Sequence, residues 1–180
     1  DSPPVNALGH KVRLAIDEGM RAAIADDSVK AIILICAGRT FFAGADIDNL
    51  YKQTDAKLIF EMCEGLKAQL RRLETLGKPV VAAINGTALG GGLEIALACH
   101  YRIALNNPKA QFGLPEVGLG LLPGGGGIIR LTRMIGLQPA LPLLTEGKRL
   151  KVKEALSNGL INEIAETPED MIAKAKAWIK

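Results

Sequence analysis

Apolar and polar positions along this chain fall into two rhythms. Residues 11–25, KVRLAIDEGMRAAIA, place Leu14, Ile16, Met20, Ala23 and Ile24 close to helical spacing, which predicts an amphipathic helix. Residues 29–36, VKAIILIC, break that rhythm with a continuous β-branched run bounded by Asp26, Asp27 and Gly38, which predicts a buried strand of a parallel sheet. Residues 38–46 read as a loop with a small-residue tip, and residues 55–76 as a long helix ending near Gly77. Residues 79–84, PVVAAI, form a second buried strand, then a glycine stretch leads into an apolar helix reaching about Cys99. Residues 102–105 predict a third strand and residues 110–113 a short extended piece. Short helices follow at 128–135, 138–145 and 151–158, the last closed by Asn158 and Gly159. Residues 160–165 suit a final strand, and Pro168 opens a helix that runs to the end. Strands alternate with helices throughout, so the predicted class is α/β with right-handed crossovers. No repeat, low-complexity segment or linker divides the sequence, so residues 1–180 read as one domain.

Composition narrows the functional classes. Hydrophobic residues make up 48% of 180, enough for a sizeable core. The net charge of +3 is small and no Lys/Arg block interleaves with aromatics, which are only 4%, so nucleic acid is not an expected partner. Cys36, Cys63 and Cys99 are odd in number and form no C-x-x-C pair, so free thiols in a reducing compartment are expected. No apolar run is long enough to span a membrane, and no signal peptide is visible. The chain opens on Asp-Ser-Pro-Pro and stops on Trp-Ile-Lys within a helical pattern, which reads as a segment of a longer protein.

The chemistry concentrates where charge is out of place. Gly86-Thr-Ala-Leu-Gly-Gly-Gly-Leu-Glu94 puts one carboxylate beside three glycines in an otherwise apolar helix. The glycines lack the Lys-Ser or Lys-Thr of a P-loop and the G-x-G-x-x-G spacing of a dinucleotide fingerprint. They do make a strand-to-helix turn with exposed N–H groups, able to stabilise negative charge on a carbonyl oxygen. The loop Phe42-Ala-Gly-Ala-Asp46 could present a second donor. From residue types alone, both segments read equally as tight turns without a ligand. A Glu94 on the solvent face would be favoured by the helix dipole, but the helix looks apolar all round, so burial is expected. A desolvated carboxylate has a raised pKa and can act as acid or base near neutrality. Glu116 repeats the pattern in Phe-Gly-Leu-Pro-Glu-Val-Gly-Leu-Gly-Leu-Leu-Pro. Two such acids beside glycine-rich turns suggest a pair moving protons in opposite senses. His10 and His100 have no Ser/Asp signature around them, and no metal-ligand spacing or G-x-S-x-G elbow is present.

Three motifs in register, Phe42-Ala-Gly-Ala-Asp-Ile47, Asn85-Gly-Thr-Ala-Leu-Gly-Gly-Gly-Leu-Glu94 and Gly113-Leu-Pro-Glu-Val-Gly-Leu-Gly-Leu-Leu-Pro-Gly124, resemble the enoyl-CoA hydratase/isomerase (crotonase) family. The fit runs from Pro3-Pro-Val-Asn-Ala-Leu8 onward. Ala98-Cys-His-Tyr-Arg-Ile-Ala104 and Leu-Pro-Glu-Val look most like the hydratase part of multifunctional fatty-acid oxidation enzymes. The resemblance implies a crotonase-like spiral of ββα units, with parallel sheets flanked by helices. It implies reversible hydration of 2-enoyl-CoA to 3-hydroxyacyl-CoA in β-oxidation, with Δ3-Δ2 enoyl-CoA isomerisation and a non-catalytic acyl-CoA binding module as rivals. It assigns the N–H groups of Ala45 and Gly91 to an oxyanion hole, Glu94 and Glu116 to the two proton transfers, and Ala43, Asp46, Ile47 and Gly90 to substrate binding. No metal or redox cofactor is implied for hydration. NAD enters only if the parent protein continues into a 3-hydroxyacyl-CoA dehydrogenase.

The same resemblance implies a homotrimer or association with a thiolase subunit, in the bacterial cytoplasm or an organelle matrix. The sequence departs from the family pattern in four places. Asp48 stands where Lys is frequent, and Gly127-Ile-Ile-Arg130 replaces the usual Gly-Thr-Gln-Arg after the glycines. Two extra residues fall in the turn at 106–109. The family's first strand and its C-terminal helices, which support the trimer or cover the acyl site, have no counterpart in these residues.

Overall fold

The computed structural model describes residues 6–45 and 51–180. Helix α1 spans His10–Ala25 and leads to strand β1, Ile32–Ile35, and strand β2, Thr40–Phe42. Helix α2, Ala56–Thr75, follows, capped by the Asp55 carboxylate, which accepts from the N–H groups of Lys57 and Leu58. Strands β3, Val80–Ile84, and β4, Thr87–Leu89, lead into helix α3, Gly91–Ala98. Strands β5, Tyr101–Leu105, and β6, Phe112–Gly113, lead into a 3-10 turn at Pro115–Leu119. Helices α4, Gly127–Ile135, α5, Leu137–Thr145, and α6, Val152–Ser157, precede strand β7, Glu163–Ala165, and helix α7, Pro168–Ile179.

The strands sort into two sheets by alternation along the chain. The larger sheet has the order β1-β3-β5-β7 and the smaller the order β2-β4-β6, and every pairing is parallel. Each repeat therefore gives one strand to each sheet and then a helix or a helical turn, which is the ββα spiral. Parallel pairing demands crossovers, and the helices between the repeats supply them. Strand β3 is central and buried along its whole length. Its side chains alternate between two cores: Val80, Ala82 and Ile84 face the main cluster, whereas Val81 and Ala83 pack with Ile103, Ala165, Met171 and Ala175 under α7. That two-sided burial is why residues 79–84 read as an unbroken apolar run rather than an alternating one.

The predicted elements are present; four strands are shorter than expected and β5 one residue longer, and β2, β4 and the 3-10 turn at 115–119 are additions. Residues 29–31 stay outside β1, and the segments read as a loop at 38–46 and as a glycine stretch at 86–92 contain β2 and β4. Three-residue strands carry too little periodicity to announce themselves. Cys36 and Cys99 are buried free thiols as expected, while Cys63 is half-buried. Among the described residues, no helix is long and apolar enough to cross a membrane.

The small sheet depends on Phe112, whose side chain is fully buried in β6. Replacing it with Ala is expected to cost about 3–5 kcal/mol. A thermal or urea unfolding curve checks this, with retention of the parent midpoint as the contrary result.

Candidate active site

Three segments meet because three adjacent parallel strands end at one edge. The chain leaves β2 into Ala43, Gly44 and Ala45, leaves β4 into Gly90 and Gly91, and leaves β6 into Leu114, Pro115 and Glu116. Carboxyl ends of parallel strands are where open α/β sheets build their sites. Backbone bonds hold the β4 and β6 exits together and tie the β2 exit to residues 6–8. The Gly90 N–H donates to the Gly113 carbonyl at 2.9 Å, and the Ala43 N–H donates to the Asn6 carbonyl at 3.0 Å. The Leu8 N–H donates to the Gly44 carbonyl at 2.9 Å. Asn6 ties this corner down further, its side-chain amide donating to the Ala37 and Thr40 carbonyls at 3.0 Å each.

Gly90 is the residue on which the turn depends. Its φ is +54°, it caps the N-terminus of α3, and a Cβ there would lie 2.9 Å from Glu116 Oε1 and 3.8 Å from the Gly44 Cα. Any side chain would therefore be strained and would push apart the three segments that converge here. Gly91 opens the helix, so its N–H has no intrahelical acceptor. A Cβ on Gly91 would sit 3.9 Å from Glu94 Oε2, which places that helix start beside the carboxylate.

Glu94 is buried, at 2% exposure, within a helix whose residues from Gly92 to Ala98 are all buried. Its Oε1 accepts from the Gly127 N–H at 2.7 Å. Burial raises its pKa above the ordinary carboxylate value, opposed by the backbone amides of Gly127 and Gly125 and by the Arg130 charge. Glu116 stands on the 3-10 turn. Its Oε2 is buried without a hydrogen-bond partner. Burial first, and repulsion from Glu94 second, push its pKa up to about 7, against the pull of its own backbone amide. Glu116 thus senses Glu94, and the surroundings of the two acids differ: Glu94 is held by amide donors, whereas Glu116 is half-buried with a bare oxygen.

The structure brings Glu94, Glu116, Gly90 and Gly91 together and sets the exit carrying Ala43 and Ala45 beside them. Asp46, Ile47 and Asp48 lie outside the described residues. The Gly125–Gly127 turn was not among the residues singled out in the sequence, yet it supplies the donors to Glu94. Its signal was present in a four-glycine run at 124–127, long enough to let backbone meet a buried acid. Cβ atoms on Gly125 and Gly127 would fall 2.8 Å and 2.9 Å from carboxylate oxygens of Glu94. Among the described residues, no three His, Cys, Asp or Glu side chains gather as metal ligands.

The sequence matches the family model described as enoyl-CoA hydratase/isomerase over residues 1–180. The chain belongs to the enoyl-CoA hydratase/isomerase family. Among members of that family, a probable enoyl-CoA hydratase of Bacillus subtilis is 41% identical over 179 residues, covering 98% of this chain and 67% of the relative. The fatty acid oxidation complex subunit alpha of Shewanella halifaxensis is 42% identical, covering 94% of this chain and 24% of the relative. A peroxisomal bifunctional enzyme of Danio rerio is 43% identical, covering 92% of this chain and 22% of the relative. The chain thus spans about a quarter of the length of these larger relatives. The family fold is equally clear in solved structures. DspI of Pseudomonas aeruginosa superposes with a TM-score of 0.89 at 32% identity, covering 98% of this chain and 66% of that one. An enoyl-CoA hydratase of Bacillus anthracis gives 0.87 at 32% identity, covering 96% and 66%.

An orphaned, desolvated Glu116 carboxylate costs stability. The sign follows from its raised pKa. Between the ordinary carboxylate value and about 7 the folded protein holds a proton that the unfolded chain releases, so stability falls as pH rises through that window. At pH 8, Glu116→Gln is expected to raise stability by roughly 1 kcal/mol, a shift of a few degrees in Tm. The gain is expected to vanish near pH 4, where both states are protonated. Melting curves at the two pH values check it.

Proposed function

We propose that this chain hydrates 2-enoyl-CoA thioesters reversibly to 3-hydroxyacyl-CoA, using Glu94 and Glu116 as an acid–base pair. The observation that carries the reading is the placement of two carboxyl groups of unequal surroundings, buried Glu94 and half-buried Glu116 with one buried oxygen, beside the N-terminus of α3. A thioester carbonyl seated there would accept from the N–H groups of Gly91 and Ala45. One well-placed donor of this kind is worth about a hundredfold to a thousandfold in rate. Glu94 accepts from backbone N–H groups, which favours its ionised form and suits it to take a proton from water. Glu116, with a pKa near 7 and an unpartnered oxygen, suits a proton donor.

In that scheme the water oxygen forms a bond to C3 while its proton passes to Glu94. The C2–C3 π electrons move toward the thioester, whose oxygen carries the developing charge, and C2 takes the Glu116 proton. The elements of water are added across one double bond, and one proton transfer between the acids through solvent restores the starting state. This chemistry draws on no redox change. The substrate is an acyl-CoA, and the names of the relatives support a place in fatty-acid oxidation. The 180 residues then act as one hydratase domain of a longer protein, working where β-oxidation of bound acyl groups occurs: the bacterial cytoplasm or an organelle matrix.

Loss of the conjugated-thioester absorbance of crotonyl-CoA measures the activity directly. Glu94→Gln and Glu116→Gln are each expected to lower kcat by about a hundredfold to ten-thousandfold. Crotonyl-CoA bound without turnover by the unmutated protein would overturn the hydratase reading in favour of a binding module. Isomerisation of a 3-enoyl-CoA surviving in Glu94→Gln, with hydration unaffected, would contradict the two-acid scheme. Because the acid must be protonated, kcat/KM for hydration is expected to fall as pH rises above about 7, with the limb displaced or lost in Glu116→Gln.

A further inference from the structure

Arg130 lies on α4, one turn beyond the glycines that face Glu94, and its side chain is only 13% exposed. Its Nε donates to Glu74 Oε1 at 2.6 Å and its Nη2 to Glu74 Oε2 at 3.2 Å, a two-pronged pair with the end of α2. Tying two helices together needs no more than that. Yet the remaining nitrogen, Nη1, donates to the Gly125 carbonyl at 2.6 Å. The Gly125–Gly127 turn is therefore sandwiched. Its carbonyl side is bound by Arg130, and its amide side is turned to the Glu94 carboxylate.

The sandwich leaves little freedom. Gly126 has φ +92°, and a Cβ there would stand 2.7 Å from Arg130 Nη1. Peptide planes are rigid, so fixing the Gly125 carbonyl and the Gly126 dihedral aims the next amide, that of Gly127. Glu74 is itself anchored. Its backbone carbonyl lies 3.2 Å from His100 Nε2, while His100 Nδ1 accepts from the Val80 N–H at 3.0 Å. Because Nδ1 accepts, Nε2 carries the proton and donates to Glu74. A continuous path thus runs from the central strand β3 through His100, Glu74 and Arg130 to the turn that holds Glu94.

We propose that Arg130, held flat by Glu74, is a positioning residue that orients the Glu94 carboxylate through the Gly125–Gly127 turn. The proposal rests on the acid–base role given to Glu94 above. Electrostatics act in the same sense. Among the charged groups around Glu94, Arg130 draws it toward the ionised form. Glu116 approaches from the 3-10 turn, where the Glu94 charge raises its pKa. From α2 come Glu74, neutralised by its pair with Arg130, and Cys63, whose Sγ would lie 3.2 Å from a Cβ on Gly124. Lysine would keep the charge but not the geometry, because a single ammonium cannot span Glu74 and the Gly125 carbonyl in one plane.

The test pairs an amide readout with kinetics in Arg130→Gln and Arg130→Lys. In Arg130→Gln, hydrogen exchange at the Gly127 amide, read by NMR, is expected to accelerate about tenfold or more, while the amides of 81–83 in β3 keep their protection. Hydration of crotonyl-CoA is expected to lose about a hundredfold in kcat with KM within about twofold, as for a misplaced catalytic group. Arg130→Lys is expected to recover part of that kcat and none of the Gly127 protection. Parent values of Gly127 exchange in Arg130→Gln would overturn the proposal. So would equal loss of protection in β3 and at Gly127, because Arg130 would then only hold the fold. If Arg130→Gln does not fold, Arg130→Lys with parent kcat overturns it, and Arg130→Lys with lowered kcat and intact β3 protection supports it. Absence of hydration in the unmutated protein would sink the proposed activity while leaving the Gly127 readout to decide the positioning role.

Discussion

A carboxylate buried at the start of an apolar helix is the constraint on which the rest of this structure depends. Moving an ionised carboxyl group out of water without partners costs several kcal/mol or more, so the chain must bring donors to Glu94. Side chains do not supply them. The donors are backbone amides of the Gly125–Gly127 turn, which approach closely because no Cβ intervenes. That arrangement compensates part of the burial and leaves the pKa raised, the poise that proton transfer at neutral pH needs. The second acid is compensated less: Glu116 keeps an oxygen without a partner, and its neighbour's charge adds to the penalty. A pair unequally supported in this way divides naturally into acceptor and donor.

The fold makes this affordable by separating scaffold from site. The four-stranded sheet, with β3 buried from end to end, contributes to two cores. The three-stranded sheet is thin, with strands of two or three residues, and its whole use is to end at one edge. Each ββα repeat lays one strand in each sheet, so every passage through the core delivers one loop to the same place. Helix α3 then carries Glu94 inward from the second loop, and the 3-10 turn carries Glu116 from the third.

Much of this was legible in the sequence for identifiable reasons. The run at 79–84 is apolar on both faces because two cores use it, and continuous apolarity is what a central parallel strand displays. Glu94 and Glu116 stood out because single charges in apolar surroundings are rare. Strands β2 and β4 stayed hidden, since three residues at the mouth of a turn have no period to detect. The supports of Glu94 stayed hidden for another reason. The glycine run at 124–127 lies about thirty residues from the acid it serves, and contacts of that separation leave no local mark. In the sequence Arg130 figures only as the end of Gly127-Ile-Ile-Arg130; the fold shows it bridging Glu74 and the Gly125 carbonyl.

The central claim is that a buried and a half-buried carboxyl group share this site with raised pKa values, and that the Glu94 charge acts on Glu116. Carboxyl 13C NMR across a pH titration of the intact protein tests it most directly, with Glu94→Gln for assignment and coupling. The account predicts Glu94 titrating above the ordinary carboxylate range and Glu116 near about 7, with the Glu116 midpoint falling in Glu94→Gln as the neighbouring charge is lost. Ordinary carboxylate titration at both positions, unmoved by the substitution, would contradict it.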